Sequence, residues 1–256
     1  MEIFYPNPNQ KIIQADVIEG LSTVENASIN LAIIDYPYFE IKVDYGNQAT
    51  SVNGDFTQFL EWAYAVANMV VSKLTPTGSL YVFAGQVLNP YIQIYLSQRL
   101  CLKNVIVWHR GSSSAQTLKK YTNVWEPLLF FTKHPRQNTF NRDAVSVAGK
   151  VRKRGKIMNT RGGKLYNTTK VQPDVFELSP VKGSSKEFAK YHPLGQKPEK
   201  LIRLILDASS NPADTVLDVF GGTCAVAKVA QQLRLKSVTV EQNPAYVAAS
   251  VERLKK

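Results

Sequence analysis

The run Leu31-Ala32-Ile33-Ile34 constrains this chain more than any other stretch. Four apolar residues with no polar alternate read as a strand buried on both faces, which calls for helices on either side of a parallel sheet. The run breaks at Asp35-Tyr36-Pro37-Tyr38-Phe39. Pro37 fixes its own φ and pushes Tyr36 out of the helical region, so the chain leaves the strand in an extended, stiff turn. One carboxylate and two aromatic rings therefore stand at the carboxyl end of a buried strand, where open α/β sheets bind ligands. An acceptor beside a ring that can stack suits a flat amine such as a nucleobase. Taken alone, the same residues also read as a strand followed by a loop with a solvated acid.

A second stretch narrows the choice. Thr215-Val216-Leu217-Asp218-Val219 is another apolar strand, and Phe220-Gly221-Gly222-Thr223-Cys224 leads from it into an alanine-rich segment. Nineteen residues after Gly222, the strand Ser237-Val238-Thr239-Val240 ends in Glu241. Strand, glycine turn, helix, strand, acid is the order of a nucleoside-binding α/β unit in which the acid takes ribose hydroxyls. Without those neighbours Glu241 reads as a solvated turn residue. The glycines do not form GxGxxG, which argues against a dinucleotide.

With both stretches in view, the chain resembles the amino-group DNA methyltransferases that use S-adenosylmethionine, in their circularly permuted β-type order. There a D/N/S-P-P-Y/F catalytic motif comes first and an F-x-G-x-G cofactor loop comes last. Asp35-Tyr36-Pro37-Tyr38 and Phe220-Gly221-Gly222-Thr223-Cys224 stand at those places. Between them, His192-Pro193-Leu194-Gly195-Gln196-Lys197-Pro198 is similar to the family's H-P-x-x-K-P segment, one residue longer. Asp16, after Ile12-Ile13-Gln14, matches a family Gly-Asp, with Ala15 in place of glycine. The resemblance runs in order along almost the whole chain. Three residues depart from it: Tyr36 for the first proline, Cys224 for the second glycine, and Val219 where the family usually has proline.

The resemblance implies a Rossmann-like class I methyltransferase sheet, mostly parallel with an antiparallel hairpin, plus a basic insertion. It implies methyl transfer to the exocyclic N6 of adenine in flipped-out form, with N4 of cytosine as the alternative. Asp35 would accept an N–H of the amine, and Tyr36 would supply the carbonyl that the family's proline supplies, at a cost in rigidity. Tyr38 would stack on the base. On the cofactor side, Asp218 would orient the methionine portion, Phe220 would lie along the cofactor, and Gly221 and Gly222 would let the backbone approach closely. Glu241 would take the ribose hydroxyls and Asp16 the adenine edge. Lys197 reads either as a cofactor-side contact or as a solvated charge, and His192 as structural. Cys224 suggests that the tight turn has moved onto Gly221-Gly222, with Thr223 capping the helix.

Charge supplies the partner. The chain carries a formal net charge of +11, and its 31 Lys and Arg are unevenly spread. Eleven of them fall between Lys133 and Lys170, against the single acid Asp143. Arg142, Arg152, Lys153, Arg154, Lys156, Arg161 and Lys164 are the candidates for phosphate and base contacts with double-stranded DNA. A solvated basic loop is the plainer reading. The expected organisation is a catalytic half over 1–132, a basic recognition insertion over 133–190, and a cofactor half over 191–256. A homodimer stays open.

Other classes lose ground. Cys101 and Cys224 are the only cysteines, too few for a disulfide framework, and they suit a reducing, cytoplasmic setting. Neither has the setting of a C5-cytosine nucleophile. His109, His134 and His192 are too dispersed to suggest a metal. No apolar run approaches the ~18 residues of a membrane span. A non-catalytic DNA-binding subunit, and an RNA or protein N-methyltransferase, remain as rivals.

The polar stretch from Val43 to Asp55 reads as a functional loop. Phe59, Trp62, Ala63, Val66, Ala67 and Val70 read as the core stripe of a helix ending before Thr75. Further strands are expected at 79–83, 104–108 and 127–131, with helices at 90–100, 198–209 and 244–254. Residues 1–11 read as an arm.

Overall fold

The computed structural model describes residues 1–39, 55–111, 119, 121–148, 169–181 and 196–255. In chain order the elements are β1 (Glu2–Asn7), β2 (Gln10–Gln14), α1 (Val17–Ser22), β3 (Ile29–Asp35), α2 (Phe56–Lys73) and β4 (Leu74–Phe83). Then come α3 (Gly85–Ser97), β5 (Cys101–His109), β6 (Trp125–Thr132), β7 (Ser146–Ala148), β8 (Thr169–Val171) and β9 (Val175–Glu177). The chain closes with α4 (Glu199–Ser209), β10 (Thr215–Asp218), α5 (Ala225–Gln232), β11 (Lys236–Glu241) and α6 (Pro244–Leu254).

Nine strands form one sheet in the order β1-β2-β11-β10-β3-β4-β6-β5-β9. The five from β2 to β4 run parallel, and β5 and β6 form an antiparallel hairpin against β4. Side chains of β3 leave alternate faces, as a pleated strand requires. Ala32 and Ile34 enter a core built with α1, α2 and α3, and Leu31 and Ile33 enter a second core built with α4 and α5. All four are essentially inaccessible to solvent, which is why the run tolerates no polar residue. A third cluster joins Ile12, Cys224, Ala227, Val247 and Leu254 beneath α6.

The chain leaves β3 toward β4 on one side, while β10 leads to β11 on the other. Their carboxyl ends lie side by side, because Asp218 pairs with Ile33 in the β3–β10 ladder. That junction is the sheet's topological switch point, where a crevice opens beyond the strand ends.

Several elements depart from expectation. Residues 2–7 are an edge strand, not an arm; they pair antiparallel with β2 despite Pro6 and the flanking asparagines. An edge strand tolerates a missing N–H on its outer side. β4 starts at Leu74 and carries Pro76 through a register shift opposite Ile29 and Leu31. α3 begins five residues before Pro90, so this proline lies inside the helix. The basic region contributes the β7–β8 hairpin and adds β9 to the edge of the main sheet beside β5. Asn141 fastens its start to α4, its backbone N–H bonding Ala208 O and its side chain bonding Asp207 O and Ser210 O. The loop expected around Val43–Asp55 lies outside the described residues except for Asp55, whose carboxylate caps α2 through Thr57 N. Among the described residues no helix is long and apolar enough to cross a membrane.

Candidate active site

A cleft of about 510 Å³ opens at the switch point and is lined by Asp16, Asp35, Tyr36, Pro37, Tyr38, Lys197, Asp218, Phe220, Gly221, Gly222 and Glu241, among others. Residues from the two ends of the sequence thus face one space.

On the β3 side, Tyr36 is an anchor and not the loosened hinge that the loss of proline suggested. Its N–H donates to Phe83 O at 3.0 Å, extending the β3–β4 ladder, and its hydroxyl donates to Ala63 O of α2 at 2.7 Å. Proline could make neither bond. The ring is buried, edge-on to Trp62 at 6.2 Å and tilted against Phe220 at 5.9 Å. Rigidity supplied elsewhere by a pyrrolidine ring is here supplied by two hydrogen bonds and aromatic packing.

Asp35 is held by Lys197, whose ammonium donates to both carboxylate oxygens at 2.8 Å. The same Nζ lies 3.1 Å from the Tyr38 hydroxyl and 3.7 Å from Glu126 Oε2. Tyr38 in turn donates to Glu126 Oε2 at 2.8 Å, and Arg110 Nη1 donates to Glu126 Oε1 at 3.1 Å. Lys197 is only 5% exposed. Burial works against its charge, but Asp35, Tyr38 and Glu126 outweigh that and hold it well above the ordinary lysine value. Burial lifts Asp35 above the ordinary carboxylate value, with Lys197 pulling it back. The Tyr38 ring also packs against Gly85, whose φ of +56° and missing side chain are both required: a Cβ there would come within 3.2 Å of Tyr38 Cδ1.

On the β10 side, Asp218 is 3% exposed and burial pushes its carboxyl up to about 8, with Asp35 and Glu241 adding to the rise and the Phe220 backbone opposing it. Glu241 accepts from Gly222 N through one oxygen and from Asn243 N through the other, both at 2.7 Å, so the end of β11 grips the glycine turn. A Cβ at Gly221 would collide with Thr239 Cγ2. Asp16 is exposed at the cleft rim and caps α1 through Ile18 N at 2.9 Å.

Two expectations about this loop need correction. The tight turn has not moved wholly onto the glycines: Gly222 has φ +50°, but Cys224 also holds a left-handed backbone, φ 57° and ψ 45°. Its side chain is buried in the third cluster with Ile12 and Val247, which is how a non-glycine fits here. Thr223 does not cap α5; its hydroxyl lies 3.2 Å from Gln196 Oε1 instead.

The sequence reading assigned Lys197 to the cofactor side or to solvent, whereas its ammonium lies on Asp35. Glu126, Arg110, Trp62 and Gly85 were not foreseen as site residues. One signal was available: β6 runs antiparallel to β4, so the acid at its start falls at the same end of the sheet as Asp35. Arg142 is exposed in a short 3₁₀ turn, Arg142–Val145. Arg152, Lys153, Arg154, Lys156, Arg161, Lys164 and His192 lie outside the described residues. No cluster of His, Cys, Asp or Glu suited to a metal occurs among the described residues.

Comparison with known proteins bears on the family and the fold. One relative, DNA adenine methyltransferase YhdJ of Escherichia coli (strain K12), is 30% identical over 252 residues, covering 98% of this chain and 84% of the relative. Type II methyltransferase M.HpaI of Haemophilus parainfluenzae is 33% identical over 248 residues, 96% of this chain and 74% of its own. Among solved structures, PvuII DNA methyltransferase (cytosine-N4-specific) superposes with a TM-score of 0.71 at 20% identity, over 96% of this chain and 86% of that one. The M1.HpyAVI–SAM complex gives 0.65 at 19% identity, over 96% and 100%. At those identities the two structures speak for the α/β fold. The sequence model of the N6/N4 DNA methylases matches residues 29–252, and the chain belongs to that DNA methylase family.

Proposed function

We propose that the protein transfers a methyl group from S-adenosylmethionine to the exocyclic N6 of adenine in double-stranded DNA, with the target base turned out of the duplex. The observation that carries this reading is the meeting of Asp35 with the Asp218–Gly222 loop in one cleft at the switch point. The catalytic motif precedes the cofactor loop in the chain, which is the β-type order.

The residues present suit the cofactor. Asp218 has no ion-pair partner among the described residues, and with Asp16 and Glu241 it gives the cleft three acids beyond Asp35, whose charge Lys197 offsets, matching a sulfonium and an ammonium. Gly221 and Gly222 leave room for a ligand against the backbone, and Glu241 stands at the strand end for the ribose. Phe220 would lie along the cofactor and Asp16 at its adenine edge.

When bound, the sulfonium supplies a methyl group open to in-line attack by a nitrogen lone pair. The chain's own part is to make and hold that nucleophile. An exocyclic amine is conjugated with its ring; donating its two N–H groups to Asp35 and to the Tyr36 carbonyl draws the nitrogen toward a tetrahedral shape and frees the pair. Asp35 then accepts the proton that the nitrogen sheds, and its burial favours that protonation. The Tyr38 ring, fixed by Glu126, Lys197 and Gly85, forms the stacking wall for the flipped base. Residues 133–190 form the recognition insertion between the catalytic half (1–132) and the cofactor half (191–256). There Arg142, Arg152, Lys153, Arg154, Lys156, Arg161 and Lys164 contact the phosphates and base edges.

The aspartate at the head of the motif, and a 30%-identical relative named for adenine, favour N6 over N4 of cytosine. Sequencing the methylated bases in DNA from cells expressing the chain, beside its Asp35→Ala variant, tests the assignment. N6-methyladenine at a defined sequence in the parent alone is expected. N4-methylcytosine instead would select the cytosine reading. Absence of methylation together with absence of cofactor binding by calorimetry would leave a non-catalytic DNA-binding subunit.

A further inference from the structure

Lys197 is buried, comes from a segment 162 residues away from Asp35, and spends its ammonium on both oxygens of that carboxylate. Both residues line the cleft, so a carboxylate acceptor and an ammonium donor stand within 2.8 Å of each other on its wall. The Tyr38 hydroxyl and Glu126 hold the ammonium from behind at 3.1 and 3.7 Å.

We propose that Asp35 and Lys197 together read the target base, the carboxylate taking an N–H of the exocyclic amine and the ammonium donating to the ring nitrogen beside it. This rests on the methyl-transfer reading of the cleft. On entry the amine replaces one Lys197 N–H at Asp35, and the N–H so released turns to the ring nitrogen. Asp35 and Lys197 each keep as many hydrogen bonds as they give up, so the ion pair opens without stranding either charge. Adenine and cytosine both offer an amine donor next to a ring acceptor. The O6–N1 edge of guanine and the O4–N3 edge of thymine offer the reverse, a carbonyl next to a ring N–H, which would set acceptor against carboxylate and donor against ammonium. The amine of guanine sits beside a ring nitrogen that faces its own sugar. A site that bonds a polar pair rejects partners lacking it far more strongly than a site that merely encloses a shape. Lys197 is therefore a specificity-determining residue for adenine and cytosine against guanine and thymine, beyond its pairing with Asp35.

The test pairs a change in the protein with a change in the base. Duplexes carry the methylation site with the target as adenine or as 1-deazaadenine, in which a C–H replaces the ring nitrogen while the amine stays; for a cytosine target the analogue is 3-deazacytosine. Single-turnover rates and KM are measured for the parent and for Lys197→Met, with thermal unfolding as a check on folding. The parent is expected to lose tenfold or more in kcat/KM on the deaza duplex. Lys197→Met is expected to be impaired on the natural duplex yet to lose less than twofold further on the analogue. A lysine that only orders Asp35 would leave the deaza penalty equal in both proteins, and that equality overturns the proposal. Should Lys197→Met fail to fold, Lys197→Gln replaces it; its amide still donates, so it is expected to keep at least a threefold deaza penalty, and no penalty overturns the proposal. A parent that methylates both duplexes equally well also overturns it while leaving methyl transfer intact. A parent that methylates neither duplex overturns the methyl-transfer reading itself.

Discussion

Asp35 and Asp218 end neighbouring parallel strands, open on the same cleft and are both pushed upward by burial, yet their surroundings are opposite. Asp35 has an ammonium on both oxygens. Asp218 has two other acids for company and a backbone N–H for relief, and it rises to about 8. A carboxylate with its own cation is kept ready to accept hydrogen bonds. One without a cation is biased toward its neutral form. The same residue type at the same end of the same sheet is thereby given two electrostatic settings, and the difference lies in what other segments bring to it.

The sharpest way to break this contrast is to remove Asp35. Asp35→Ala is expected to lower the methyl-transfer rate by a factor on the order of 10² or more, as loss of a preorganised transition-state partner does. Cofactor affinity should change by less than about threefold, which is under 1 kcal/mol. A variant keeping a tenth of the parent rate at saturating substrate would remove Asp35 from the chemistry.

Asp218→Asn addresses the other half. Between the ordinary value of 3.8 and about 8, the folded protein keeps a proton that the unfolded chain has lost. Stability therefore falls as pH rises across that window, and the asparagine variant should lose this slope in urea unfolding. A cationic ligand favours the ionised carboxylate, so parent affinity for the cofactor should climb toward pH 8, by up to about tenfold per unit. Equal slopes for parent and variant would show that Asp218 carries no such proton.

Tyr36 joins the two halves, since its ring meets Phe220 while its backbone continues β3. Tyr36→Phe keeps the ring and removes the hydroxyl's bond to Ala63 O, a carbonyl that stays within the α2 ladder; a cost of about 1 kcal/mol is expected in chemical denaturation. An unchanged midpoint would mean that the hydroxyl bond adds nothing to the helical one. The smallest effect belongs to Cys224→Gly. Relief of a left-handed non-glycine stabilises by roughly 1 kcal/mol, and loss of a buried sulfur costs a similar amount. Stability within about 1 kcal/mol of the parent is expected, with cofactor affinity within about threefold. A tenfold gain in affinity would show that the native turn distorts the pocket.

What could be read from the sequence follows from range. Strands buried on both faces announce themselves as apolar runs, so Leu31–Ile34 and Val216–Leu217 located the cleft by their ends. α6 was legible to its boundaries because Asn243 caps it through Ala245 N and Pro244 occupies its first turn. β1 was hidden by its edge position, where exposed side chains and Pro6 erase the alternation. The ion pair was hidden for a different reason: Asp35 and Lys197 meet only because the segment leading into α4 packs at the end of β3, and nothing local marks a lysine as buried. Glu126 and Arg110 became site residues only once the hairpin turned their strand ends toward Asp35. The left-handed turn at Cys224 was misjudged because packing in the α6 cluster overrode the preference for glycine.

The anchoring of Tyr36 also bears on the history of the chain. Returning this position to the proline of related motifs would in one step take the Tyr36 N–H from the Phe83 carbonyl, remove the hydroxyl bond to Ala63 O and empty the space between Trp62 and Phe220. The neighbours would have to change first, and each such change is costly while the tyrosine remains. Position 36 is therefore not exchangeable on its own, and a proline there has to be introduced together with changes that refill the space beside Trp62.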